Sequence, residues 1–328
     1  MNIAGRVERE GLREAADSAA RVAVLVPCYN EEATIGKVVA DFRAVLPDAQ
    51  IYVFDNNSKD RTIEVARAAG AIVGRVRGQG KGHVVRRMFA DVDADVYILV
   101  DGDGTYDASV APMMIDELLQ NGLDMVVGVR HTKDEAAFRA GHRFGNQLLT
   151  GCVAFLFGRN LTDMLSGYRV LSRRFVKSFP AHATGFETET ELTVHALELR
   201  MPVAEVDTEY HARPPGSVSK LNTYQDGLRI LFTIIRLLKA EKPLQFFSIG
   251  FVACVVAALI LAAPVLMTYL ETGLVPRLPT ALLSASLVLF GTLLLVCGLI
   301  LDTVTRGRAE IKRMAYLAQP SPWQRRSG

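Results

Sequence analysis

Asp101 and Asp103 stand one residue apart, with Gly102 between them and Gly104 after them. Two carboxylates so spaced put hard oxygen ligands on a low, open turn. Mg²⁺ and Mn²⁺ take donors of this kind when they also bridge phosphate oxygens. The pair follows Val96-Tyr97-Ile98-Leu99-Val100, an apolar run that reads as a buried strand. In an open α/β sheet, ligands gather outside the carboxyl ends of strands. A plain polar turn uses the same residue types, so the motif gains its weight from the rest of the chain. A second chemical stretch is Gly74-Arg75-Val76-Arg77-Gly78-Gln79-Gly80-Lys81-Gly82-His83, glycine-rich and basic. It suits a loop that closes over a diphosphate with Lys81. It is not a Walker A loop, because Arg75 and Gly82 stand where Gly and Ser or Thr are needed, and it does not match GxGxxG.

Positioning these residues takes an alternating chain. Val22–Val26 reads as a strand closed by Pro27-Cys28-Tyr29-Asn30-Glu31-Glu32, with Asn30 as the expected N-cap and acidic residues in the first turn that follows. Ile35, Val38, Val39, Phe42 and Val45 recur at helical spacing until Pro47. Ile51–Phe54 is the second strand, ended by Asp55-Asn56-Asn57-Ser58-Lys59-Asp60-Arg61-Thr62. A helix over about Thr62–Ala69, a strand over Ala71–Val73 and a helix over about Val84–Asp91 lead to the aspartate strand. Beyond it come a helix over Val110–Leu119, a strand over Asp124–Val129 that delivers Arg130, a long helix over 139–157 and a short strand, Val170–Leu171. A helix from Gly185 to near Arg200, with Glu187, Glu189 and Glu191 expected at its solvated end and Glu189 the one of them that could support the site, and a strand over Val203–Tyr210 complete the pattern. His83 and His195 have no metal-ligand spacing and read as structural. Alternation of this kind predicts an α/β fold, a doubly wound and mostly parallel sheet.

The 328 residues carry a net charge of +2, which gives no argument for nucleic acid. The four cysteines form no CxxC pair, so neither a zinc site nor a disulfide framework is indicated. Residues 1–20 read as a tail without the apolar core of a signal peptide. From 223 to 243 the pattern is amphipathic, with Leu228, Leu231, Ile234, Ile235 and Leu238 opposite Arg229, Arg236 and Lys239, as in a helix lying on a membrane. Two apolar runs follow within 244–303, about 246–270 and 280–301, each long enough to span hydrocarbon. Cations flank the pair at both outer ends (Arg229, Arg236, Lys239 and Lys242 before, Arg306, Arg308, Lys312 and Arg313 after), whereas Arg277 in the connector is opposed by Glu271. The α/β domain (21–222), both termini and the tail from 304 to 328 are therefore expected on the cytoplasmic side of the plasma (bacterial inner) membrane.

The ordered set Val26-Pro27-Cys28-Tyr29-Asn30-Glu31, Asp55-Asn56-Asn57-Ser58-Lys59-Asp60, Gly80-Lys81-Gly82, Asp101-Gly102-Asp103 and Ser166-Gly167-Tyr168-Arg169 resembles that of family 2 glycosyltransferases with the GT-A fold. Within them it is similar to the polyprenyl-phosphate glycosyltransferases, the dolichol-phosphate-mannose-synthase-like enzymes, and the C-terminal hairpin is similar to that of bactoprenol glucosyltransferases. Asn56-Asn57 stands where Asp-Gly is commoner, and Arg61 where Gly is usual. The resemblance implies that Pro27, Tyr29, Glu31, Asp55 and Lys81 meet a nucleotide-sugar donor, with Arg213, Ser217 and Lys220 closing over its diphosphate. It implies Mg²⁺ or Mn²⁺ on Asp101 and Asp103, Asp163 as the candidate base, and Arg130, Arg139, Arg143, Ser166 and Arg169 at an acceptor phosphate. The implied reaction moves one sugar, from a UDP-hexose or UDP-N-acetylhexosamine by preference or from GDP-mannose, to polyprenyl phosphate with inversion. The implied partners are the nucleotide sugar, the lipid, the membrane and a second copy met through the hairpin. Two rival readings are a membrane transferase acting on a sugar or lipid hydroxyl, which would want a firm base and whose processive members carry a QxxRW-like motif absent here, and a non-catalytic nucleotide-sugar-binding membrane protein.

Overall fold

The computed structural model describes residues 20–131, 151, 161–181, 188–211, 232, 235–236 and 238–321. The chain divides into two compact units, one of Met1–Leu228 with Lys312–Gly328 and one of Arg229–Ile311.

The first unit is built on a seven-stranded sheet. Its elements in chain order are β1 (Val22–Cys28), α1 (Ile35–Val45), β2 (Gln50–Asp55), α2 (Thr62–Ala68), β3 (Ile72–Arg75), α3 (Lys81–Asp91), β4 (Val96–Leu99), α4 (Ala111–Gln120), β5 (Met125–His131), β6 (Arg169–Ser172), α5 (Arg173–Ser178), α6 (Thr188–Glu198) and β7 (Val203–Glu209). The strand order is β3-β2-β1-β4-β6-β5-β7. β1 pairs in parallel with β2 and β4, β2 with β3, and β5 with β7, while β6 runs antiparallel between β4 and β5. This is the mostly parallel α/β sheet expected, with one reversed strand. Apolar residues fill both faces: Val24, Val26, Ile98 and Val126 with Phe42, Met114 and Leu118 on one, Leu25, Leu99 and Val127 with Met88, Phe175 and Leu192 on the other. Burial on both faces is why these strands read as continuous apolar runs rather than alternating ones.

The topology sets the site. The carboxyl ends of β1, β2, β3, β4, β5 and β7 all reach one edge of the sheet. β6 runs the other way, so the chain entering it, Ser166-Gly167-Tyr168, arrives at that same edge.

Two local expectations are corrected. Asn30 does not cap α1: the helix begins after Thr34, no side chain caps it, and its first turn holds no acidic residue. Asn30 instead sits at φ +53°, a left-handed conformation that Asn tolerates, and its side chain accepts from the Lys59 amide at 2.8 Å. Glu32 takes Arg61 in a forked pair, Nε and Nη2 both donating to Oε1 at 2.8 and 2.6 Å. This gives Arg61 a partner across the β1 and β2 loops. The expected helix over 139–157 and the amphipathic stretch over 223–239 lie largely outside the described residues.

The second unit holds α7 (Pro243–Thr272) and most of α8 (Leu278–Leu317). Both are long and apolar enough to cross a membrane, and little of either apolar stretch is buried. They pack through small residues of α8 spaced by seven. Ser284 Oγ donates to the Ala258 carbonyl at 3.1 Å, Gly291 lies against Cys254 and Phe251, and Gly298 lies against Phe247. Thr305 continues the seam with a 3.2 Å hydrogen bond to the Ala240 carbonyl. A seven-residue repeat keeps one seam in register between two helices, and small residues let their backbones approach where apolar area alone gives no drive. α8 runs beyond the predicted apolar span; Lys312 and Tyr316 near its end belong to the first unit. There Lys312 Nζ pairs with Glu198 at 2.5 Å, and Tyr316 donates to the fully buried Asp124 at 2.8 Å.

Candidate active site

The turn after β4 is held from below. Thr34 Oγ1 donates to the Gly102 carbonyl at 2.6 Å, tying the β1 loop to the aspartate turn. A side chain at Gly102 would put its Cβ 2.6 Å from Cys28 Sγ, and Gly104 turns at φ +71°, so this path needs both glycines. Asp103 is 4% exposed, and its Oδ1 accepts from the amide and hydroxyl of Thr105 at 3.2 and 2.7 Å. Asp101 is more open and lies over Gly167, where any Cβ would collide with its Oδ2. This explains the glycine of the Ser-Gly-Tyr motif in contact terms.

Lys81 is the first residue of α3, and its ammonium bridges Asp101 and Glu189. Burial disfavours the charged amine, but the two carboxylates outweigh it and raise its pKa, so it is a fixed cation. Glu189 is buried at the start of α6, not solvated as its position in a helical first turn suggests. The sequence offers Glu189 only as an alternative to a solvated helix end; its pairing with Lys81 appears when α6 packs beside α3.

A second charged cluster lies at the end of β5. Arg130 Nε and Nη2 donate to Asp163 Oδ2 and Oδ1 at 2.7 and 2.8 Å, and the guanidinium stands 5.6 Å from the Tyr210 ring centroid. Burial pushes the Asp163 carboxyl up, but the hydrogen bonds and charge of Arg130 bring it below the ordinary carboxylate range. Tyr106 connects the clusters. Its hydroxyl accepts from the Gly167 amide at 2.8 Å, its ring packs on Tyr168 and Tyr210, and it feels the charges of both Arg130 and Asp101.

The structure thus gathers Lys81, Asp101, Asp103, Arg130 and Asp163 at one edge. Pro27 is in the last part of β1 there, Tyr29 and Glu31 follow it, and Asp55, 2% exposed, ends β2 with its carboxylate accepting from the Ser58 amide. Ser166 and Arg169 reach the same edge but face inward. Ser166 Oγ donates to the Gly128 carbonyl at 2.5 Å. Arg169 is fully buried and donates to the carbonyls of Ser166 and Met164 and to Thr193 Oγ1. Burial pulls its pKa down to about 10, so it is still a cation at neutral pH, spent on bracing the turn rather than facing an acceptor phosphate. Arg139, Arg143, Arg213, Ser217 and Lys220 lie outside the described residues.

Asp101 and Asp103 suit a divalent ion that takes most of its coordination from phosphate and water. No group of three or more His, Cys, Asp or Glu side chains able to hold a metal occurs among the described residues.

Residues 23–179 match the family described as Glycosyl transferase family 2. The chain is 35% identical to Glycosyltransferase AglJ of Haloferax volcanii over 300 residues, covering 90% of this chain and 98% of that protein. It is 30% identical over 222 residues to the Dolichyl-phosphate hexose transferase of the same organism, covering 67% of this chain and 95% of that one. Its fold is similar to that of Mycobacterium tuberculosis glucosyl-3-phosphoglycerate synthase solved with Mn²⁺, UDP and phosphoglyceric acid, with a TM-score of 0.56 and 24% identity over 70% of this chain and 80% of that one. The aspartate turn at the sheet edge, the mostly parallel GT-A sheet and full-length relatives agree: this chain belongs to glycosyl transferase family 2.

Proposed function

We propose that this protein transfers a single sugar from a nucleotide diphosphate sugar to polyprenyl phosphate at the cytoplasmic leaflet, with inversion at the anomeric carbon. The observation that carries the reading is the pairing of two charged clusters at one edge: the Asp101/Asp103/Lys81 group, and Arg130 held by Asp163. The name of the dolichyl-phosphate hexose transferase relative and the two long apolar helices support a lipid phosphate as acceptor.

In this reading Asp101 and Asp103 hold Mg²⁺ or Mn²⁺, which would offset charge on the departing diphosphate as a Lewis acid. Lys81 adds a fixed positive charge beside them. Pro27, Tyr29, Glu31 and Asp55 face the nucleoside, with Arg213, Ser217 and Lys220 covering the diphosphate. A UDP-hexose or UDP-N-acetylhexosamine is the favoured donor, with GDP-mannose next. The acceptor phosphate lies against Arg130, whose planar fork matches phosphate oxygens, with Arg139 and Arg143 beside it. A phosphate oxygen attacks the anomeric carbon as the bond to the nucleoside diphosphate breaks on the opposite side. The nucleophile is already ionised, since a phosphate monoester loses its second proton at a pKa of about 6. Asp163, engaged by Arg130, then orients that arginine and need not remove a proton. The domain and both chain ends lie on the cytoplasmic side, following the flanking cations.

The test is transfer of label from a panel of nucleotide sugars into organic-extractable lipid, with Mg²⁺ or Mn²⁺, beside Asp103→Asn. One donor should label the lipid, and the variant should lose the signal by about 10²-fold or more, the scale of losing one preorganised electrostatic group. Equal labelling by wild type and variant would remove the aspartate turn from the mechanism.

A further inference from the structure

The Asn56-Asn57 pair, a departure from the commoner Asp-Gly, is used in full by the structure. Asn56 is buried. Its Nδ2 donates to the Val76 carbonyl at 3.3 Å and the Gly78 carbonyl at 2.6 Å, while its Oδ1 accepts from the Gly80 amide at 2.7 Å and from Gln79 Nε2 at 3.4 Å. Asn57 is exposed and left-handed at φ +66°. Its Nδ2 donates to the Arg77 carbonyl at 3.0 Å and to Gln79 Oε1 at 3.1 Å. Two adjacent amide side chains therefore hold every residue of the glycine-rich loop from 76 to 80. The loop ends at Gly80, φ +124°, and the next residue is Lys81, whose ammonium bridges Asp101 and Glu189.

We propose that Asn56 and Asn57 are positioning residues: they template the 76–80 loop so that α3 starts at Lys81 and delivers its ammonium to Asp101. The chemistry requires an amide at 56. It must donate to two carbonyls and accept from one amide, and an ionised carboxylate of the same shape can only accept. An aspartate here would face the carbonyls of Val76 and Gly78 with like partial charge and release the loop. Glycine at 57 would keep the left-handed backbone but leave the Arg77 carbonyl and Gln79 without their donor. Neither asparagine needs to touch substrate. This deepens the transferase reading and rests on it for its kinetic consequence, while the loop geometry stands apart from it.

The test uses the full chain in lipid nanodiscs, with Asn56→Asp and Asn57→Gly. Amide hydrogen exchange over residues 76–81 and the kinetic constants for the nucleotide-sugar donor are measured together. The structure predicts at least tenfold faster exchange confined to that segment in both variants. It predicts a fall in kcat/KM for the donor of roughly tenfold for Asn57→Gly and more for Asn56→Asp, with acceptor KM unchanged. Asn57→Gly keeps the test decisive should Asn56→Asp fail to fold, because position 57 is exposed and its backbone conformation suits glycine. Exchange unchanged in folded variants overturns the clamp. Faster exchange with donor kcat/KM within twofold of wild type overturns its link to Lys81. A wild-type protein that transfers no sugar, with loop exchange still accelerated in the variants, refutes the transferase reading and leaves the loop template supported.

Discussion

Burial alone pushes the Asp163 carboxyl towards the range of a working base, but Arg130 binds it through two hydrogen bonds and brings it below that range. The acid limb of the rate should therefore belong to the lipid phosphate, rising through about pH 6 as its second proton leaves. Asp163→Asn should lower kcat/KM for the acceptor by about 10- to 100-fold, or about 1.4–2.7 kcal/mol, and keep the same acid limb. A limb that shifts or vanishes in the variant would restore Asp163 as a base. Gly167→Ala tests a different dependence, since its Cβ would displace the Asp101 carboxylate. A loss of about 10²-fold in kcat is expected for such a displacement, with the fold intact by circular dichroism. At this scale the sequence was legible where chemistry is local. The paired aspartates, Lys81 and Arg130 declared themselves by type and spacing. Glu189 stood only as an alternative to a solvated position and the inward turn of Ser166 and Arg169 was hidden, because only tertiary packing of α6 and the reversed strand β6 decides which way those groups face.

Among the elements, the central strands β1, β2 and β4 were legible because the sheet is covered on both faces there and each is an apolar run ended by polar residues, while β7 was legible by its alternation. Their order was less so: the reversal of β6 between β4 and β5 depends on pairing partners far along the chain, Val96 with Ser172 and Met125 with Leu171, and a four-residue strand carries no direction in its composition. The start of α3 at Lys81 rather than near Val84 was hidden by Gly80 and Gly82, both poor helix formers; Gly80 stands just outside the helix with its amide donating to Asn56 Oδ1. In the hairpin, apolar length was plain but the packing seam of Ser284, Gly291 and Gly298 emerges only from contacts. Gly298→Leu would force a side chain where even a Cβ lies 2.9 Å from that of Phe247. Overpacking of this kind costs about 1–3 kcal/mol, readable as a lower thermal midpoint in detergent. An unchanged midpoint would mean the helices do not pack along this seam.

For the whole molecule, pH bears on stability through a group remote from the aspartate turn. His195 is buried against Phe175 and Phe179, with Nε2 3.0 Å from Ser178 Oγ. Burial, aided by the charge of Lys312, lowers its pKa to about 3. Below about pH 6.5 the unfolded chain gains a proton that the folded chain refuses, so stability falls with pH, by about 2 kcal/mol at pH 5 relative to pH 7. His195→Asn should flatten that dependence in denaturation of the full chain between pH 7 and 5, whatever its effect at pH 7. Orientation is tested by a single cysteine at Gly273, in the connector between α7 and α8, in a chain otherwise free of cysteine. A membrane-impermeant thiol reagent should reach it only from the non-cytoplasmic side. The most direct test of the account as a whole is an acceptor comparison: wild-type protein, one active nucleotide sugar, and either polyprenyl phosphate or the corresponding polyprenol. Label should enter a mild-acid-labile lipid with the phosphate and none should enter with the alcohol. Equal or preferred transfer to the alcohol would contradict a phosphate nucleophile held by Arg130.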